Sequence, residues 1–153
     1  MKTLVLGLGN PILGDDGVGW KVAEAVRKAL GDSVEVDFAS LGGLSLMERI
    51  LGYSRVVLID SMESGQYPIG AVRLLSLADL ENPMAGHTAS AHDTSLMTAL
   101  QAAQAVGTDV PGRIDIVAIE AKPSYDFSEE LSPEMAAAVP VAAQEVLKLL
   151  ERA

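Results

Sequence analysis

Three acids and a histidine stand where elements of this chain should end. Asp15 and Asp16 lie in the glycine turn GNPILGDDG at residues 9–17, Asp60 closes the apolar run VVLID at 56–60, and His92 sits in SAHDTSL at 90–96. Two carboxylates and one imidazole make a three-ligand set with open positions for a divalent metal, and imidazole suits nickel and zinc in particular. The same carboxylates can serve as general bases for water, and a bound cation can act as a Lewis acid on a carbonyl. Spacing alone does not choose among these roles. Asp15 and Asp16 also read as a helix N-cap or as charges at the positive end of a helix, Asp60 as a strand terminator, and His92 as a surface or capping histidine.

Two familiar turn chemistries can be tested against GNPILGDDG. A dinucleotide fingerprint needs a third glycine where Ile12 stands, and Pro11 removes a backbone donor. A phosphate loop needs Lys and a hydroxyl after Gly14, where Asp15 and Asp16 would instead repel phosphate. The chain has no cysteine, which excludes disulfides, thiolate metal sites and cysteine nucleophiles together. Its net charge of −10 argues against an electrostatic grip on nucleic acid or on an anionic membrane.

These residues need a scaffold that brings the ends of several elements together. At 153 residues and 49% hydrophobic content, the chain is expected to form one domain over 1–153. Residues 2–8 (KTLVLGL) read as a buried strand; from Gly17, Val18, Val22, Ala25, Val26, Ala29 and Leu30 recur at helical spacing up to a stop at Gly31. Further strands are predicted at 34–38, 55–60, 70–76 and 114–120. Asp60 is then the last residue of its strand, and 70–76 lies at hairpin distance from it, which predicts a partly antiparallel sheet. Helices are predicted at 44–51, along the stripe Leu96, Ala99, Leu100, Ala103 and Val106, and after Ser132-Pro133-Glu134, with Ser132 as N-cap and Pro140 interrupting or restarting the helix. The alternation gives an α/β three-layer sandwich, a twisted, mostly parallel sheet of about five strands with helices on both faces. Ligands of such sheets bind beyond the carboxyl ends of the strands, where all the candidate residues fall. The N-terminus lacks the h-region and cleavage site of a signal peptide, and no stretch reaches membrane-spanning length, so a soluble cytoplasmic protein is expected.

Taken together, GLGNPILGDDGVG at 7–19, VVLID at 56–60 and SAHDTSL at 90–96 resemble the hydrogenase maturation endopeptidases, along essentially the whole chain. The resemblance implies that Asp16, Asp60 and His92 are the metal ligands and that Asp15 shapes the turn and caps the first helix. It also implies that Gly9, Gly14 and Gly17 permit the bends that aim Asp16, and that Asn10 braces the turn through its amide. Many members carry an Asp-Gly-Gly-Thr segment where this chain has Phe38-Ala39-Ser40-Leu41, with Gly42-Gly43 displaced downstream; Asp37 is the available replacement acid. His87 has no family counterpart and reads as a surface residue.

The implied activity is removal of the C-terminal extension of a nickel-iron hydrogenase large-subunit precursor after nickel insertion, with the nickel supplied by the substrate and no permanent cofactor. Asp16 or Asp60 would be the base, or nickel the Lewis acid. The protein is expected to act as a monomer, with Leu41, Leu44 and Met84 as candidate docking residues. A non-catalytic nickel sensor or chaperone for the large subunit is the alternative from a different class. A more distant one is peptidyl-tRNA hydrolase, which shares the opening GLGNP but continues to a histidine-bearing segment, whereas here no histidine precedes His87.

Overall fold

Leu4, Val5, Leu6 and Leu8 are fully buried in β1 (Thr3–Leu8), as a strand covered on both faces requires. The computed structural model describes residues 2–40, 43–76, 101–123 and 126–152. Strand β1 lies between β2 (Glu35–Ala39) and β3 (Arg55–Met62); β3 pairs with β5 (Arg113–Glu120), and β5 with β4 (Val72–Ser76), giving the order β2-β1-β3-β5-β4. All neighbours are parallel except β4 and β5.

Alternation along the strands builds two cores. Val5, Val57, Ile59, Val117 and Ile119 face α1 (Val18–Leu30) and α3 (Pro133–Glu151). Leu4, Leu6, Leu8, Val56, Leu58, Met62 and Ile116 face the opposite layer, where Leu46, Met47 and Ile50 of α2 (Gly43–Ile50) and Ala103 pack. The predicted three-layer α/β sandwich is therefore the observed one.

Four local expectations are corrected. The antiparallel strand β4 pairs with β5 rather than forming a hairpin with β3, because β5 returns between them. Strand β3 does not stop at Asp60: Asp60, Ser61 and Met62 stay in register with Ala118, Ile119 and Glu120, and this ladder overrides the turn character of SMESG. Pro140 neither breaks nor restarts α3. It lies on the exposed face, where water can satisfy the Ala136 carbonyl that loses its amide partner, while Ala138, Ala142 and Val146 hold the buried face to the sheet. Val106 leaves the expected stripe: residues 101–105 are helical and Ala103 is buried, but Val106 lies in the following turn and is 80% exposed. No helix among the described residues is long and apolar enough to cross a membrane.

Candidate functional site

Register leaves β3 standing proud of its neighbour. The β1 pairing ends at Gly7 opposite Ile59, so Asp60, Ser61 and Met62 extend past it, supported on the other side by β5. The glycine turn leaves β1 beside this overhang. Its first residue is held to the end of β2: the Gly9 N–H donates to the Ala39 carbonyl at 3.1 Å, and the Ser40 hydroxyl donates to the Gly9 carbonyl at 2.6 Å. Gly9 has φ +132°, and a Cβ there would overlap the Asp16 carbonyl oxygen, so only glycine fits. Gly17, with φ −82°, serves by close approach instead; a Cβ there would come within 2.9 Å of Pro11 Cα.

Asn10 then makes an Asx turn, its side-chain oxygen accepting from the Ile12 N–H at 3.2 Å while its carbonyl accepts from Leu13 N–H at 3.1 Å. The expected brace through the Asn10 amide is thus present. The chain next passes alongside residue 128: Ser128 N–H donates to the Ile12 carbonyl at 2.8 Å, and Gly14 N–H donates to the Ser128 carbonyl at 2.7 Å. A short 3-10 turn, Gly14–Gly17, carries the two acids into α1.

The adjacent acids have separate tasks. Asp15 Oδ1 accepts from the Ser132 N–H at 2.7 Å and Oδ2 from the Ser132 hydroxyl at 2.8 Å. Asp15 therefore does not cap α1, whose N-cap residue is Gly17, with no side-chain cap bond. Ser132 occupies the N-cap position of α3, yet its hydroxyl is given to Asp15 rather than to its own helix. Asp16 turns the other way: Oδ2 accepts from the Asn10 N–H at 2.8 Å, and Oδ1 accepts a long hydrogen bond of 3.4 Å from the Ser61 hydroxyl.

Asp60 is 2% exposed, and its Oδ1 accepts from the Ser61 N–H at 2.8 Å. By alternation Asp60 belongs to the α2 side of the sheet with Leu58 and Met62, and Ser61 to the α1 side with Val57 and Ile59. The turn thus brings Asp16 to one face of β3 while Asp60 occupies the other, and Ser61 touches both. Sequence reading missed Ser61 because it opened an apparent turn; the alternation of β3, carried two residues further, would have placed it.

More negative charge collects at this edge. Glu120, the last residue of β5, is 1% exposed and accepts from Ser64 Oγ at 2.7 Å and Gly65 N–H at 3.0 Å, with Arg73 at 3.4 Å as its ionic partner. The rule that singled out Asp60, an acid ending a buried strand, applies equally to Glu120. Glu63 has a raised pKa, first through partial desolvation and then through the charges of Asp16 and Glu120. Such a concentration of carboxylates favours a cationic ligand.

Asp37 is not at this edge. It pairs with Leu6 in the register and is held by Arg49 at 2.7 Å. His92 and His87 lie outside the described residues, as do Leu41 and Met84 and the side chain of Leu44. Among the described residues no group of three or more His, Asp or Glu side chains is arranged to hold one metal ion.

Comparison with known proteins adds to this geometry. A model of the hydrogenase maturation protease family matches residues 21–149, a span that begins just after the two acids of the turn. The hydrogenase 2 maturation protease of Escherichia coli is 28% identical over 153 residues, covering 98% of this chain and 91% of that one. The hydrogenase expression/formation protein HupD of Rhizobium leguminosarum is 25% identical over 151 residues, or 97% of this chain and 74% of the relative. Among solved structures, the hydrogenase maturating endopeptidase HybD of E. coli superposes with a TM-score of 0.79 at 27% identity, over 98% of this chain and 92% of that one. The [NiFe] hydrogenase maturation protease HybD of Thermococcus kodakarensis gives 0.74 at 27% identity, over 97% and 99%.

Proposed function

The chain belongs to the hydrogenase maturation protease family, and from that premise we propose that it removes the C-terminal extension of a nickel-iron hydrogenase large-subunit precursor once nickel has been inserted. The observation that carries this reading is the meeting of Asp16 and Asp60 at Ser61, on the edge of the sheet where a substrate can enter. Family membership also sets aside the peptidyl-tRNA hydrolase reading.

In this proposal nickel is cargo of the substrate. Asp16, Asp60 and His92 recognise the ion already seated in the precursor, which makes cleavage a check on metal insertion. Two carboxylates at one edge repel each other without a cation and gain binding energy when one arrives, and that difference is enough to gate a reaction. The scissile bond then meets water activated by Asp16 or Asp60, or its carbonyl is polarised by the substrate's nickel. The protein acts as a monomer in the cytoplasm, with no permanent cofactor.

The test is the mass of the precursor after incubation with the protein. Nickel-loaded precursor should lose its C-terminal peptide and nickel-free precursor should not. Equal cleavage of both would overturn the gating, and cleavage of neither would favour a non-catalytic nickel sensor or chaperone.

A further inference from the structure

Ser61 contacts both candidate ligand carboxylates. Its backbone N–H donates to Asp60 Oδ1 at 2.8 Å, and its hydroxyl stands 3.4 Å from Asp16 Oδ1. It is 6% exposed and sits in the β3–β5 ladder opposite Ile119, which fixes its backbone. The geometry is a consequence of strand pleating. Asp60 and Ser61 project to opposite faces of β3, and Asp16 arrives on the Ser61 face from the turn before α1.

The Asp16 carboxylate is consequently held at both oxygens, by Asn10 N–H on Oδ2 and by Ser61 Oγ on Oδ1. The Ser61 bond ties the carboxylate directly to the strand that bears Asp60, beside the close packing of Gly19 of α1 on the Ile59 carbonyl. The other anchors of the turn, at Ala39, Ser40, Ser128 and Ser132, tie it to β2 and to the segment before α3. Without the hydroxyl, the Asp16 side chain loses its direct bond to that strand, and repulsion between the two carboxylates acts to separate them.

We infer that Ser61 is a positioning residue for metal recognition: its hydroxyl holds Asp16 against the strand that presents Asp60, so that the two acids meet the substrate's nickel as a preformed pair. This rests on the proposed function, and it assigns Ser61 no contact with the scissile bond. Preorganised ligands bind at smaller ordering cost, so losing the hydroxyl should weaken capture of the substrate more than it slows the chemical step.

The experiment compares wild type, Ser61→Ala, Ser61→Thr and Asp16→Asn in steady-state cleavage of nickel-loaded precursor, with thermal unfolding measured in parallel. The expected result is a KM raised about tenfold in Ser61→Ala with kcat within about twofold, the size of one lost charge-assisted hydrogen bond. Ser61→Thr, which keeps the hydroxyl and suits a strand, should restore KM to near the wild-type value. Wild-type kinetics in Ser61→Ala would overturn the inference, as would a folded Ser61→Thr no better than Ser61→Ala. Full cleavage by Asp16→Asn would show that Asp16 is not a ligand and overturn the inference, whereas absence of cleavage by the wild type would overturn the proposed function itself.

Discussion

Asp15 and Ser132 are 117 residues apart in the chain, yet the Asp15 carboxylate takes both the N–H and the hydroxyl of Ser132. The bond pair fastens the turn that carries Asp16 to the start of α3, and it explains why the neighbouring acids differ in role. Hydrogen bonds to a charged acceptor are worth about 1.5–3 kcal/mol each, and less when water can replace them. Asp15→Ala should therefore lower stability by about 2 kcal/mol in urea unfolding. A double-mutant cycle with Ser132→Ala should give a coupling energy well above zero; strict additivity would show that the two side chains do not support each other.

Asp16→Asn keeps an oxygen for the Asn10 N–H and removes the ligand charge. The variant should fold with near wild-type stability and lose processing of the nickel-loaded precursor, as followed by mass. Stability unchanged with activity lost separates it from Asp15→Ala, where stability falls first.

A pH prediction follows from the cluster on the outer edge of β2. The Tyr53 hydroxyl donates to Glu35 and does most to lower its pKa; desolvation opposes this, and Arg49 adds to it. For Asp37, burial pushes upward but is outweighed by hydrogen bonds from Arg49 and the Phe38 N–H, and the net shift is again downward. Both folded values thus lie below the ordinary 4.5 and 3.8. Groups of this kind add stability that is fully present above the unfolded value and lost as pH falls through the folded one. Unfolding free energy should fall below about pH 4.5, and Arg49→Met should flatten that slope while leaving the curve above pH 6 parallel to wild type. An unchanged acid slope in Arg49→Met would refute the assignment.

Glu120 and Arg73 form an ion pair with side-chain exposures of 1% and 11%. Removing one partner of such a pair costs about 3–5 kcal/mol, because the other charge loses compensation. Glu120→Ala should cost that much in chemical denaturation and should loosen the loop fastened through Ser64 and Gly65, read as faster amide exchange at Gly65.

The cluster of acids was legible only in part from sequence. Asp16 stood out as an acid of the glycine turn before a helix and Asp60 because it closes an apolar run, both local properties. Glu120 satisfies the same description but was hidden by the strength of the surrounding strand pattern, and Ser61 by its place in a turn-like segment. Asp15 was readable as an acid of the turn, while its partner was not, since nothing within a few residues of either side chain encodes their contact.

Periodicity, turn chemistry and glycine placement are properties of short stretches, and they sufficed for the order of strands and helices, the mostly parallel sheet and the edge at which the acids gather. The tertiary structure alone decided that β4 joins β5, that β3 continues past Asp60, and that Asp16 and Asp60 meet across one strand at Ser61. Each of those depends on which distant segment returns to lie beside a strand. The free energy of that choice resides in the assembled ladder and the two cores, and not in any local run of residues.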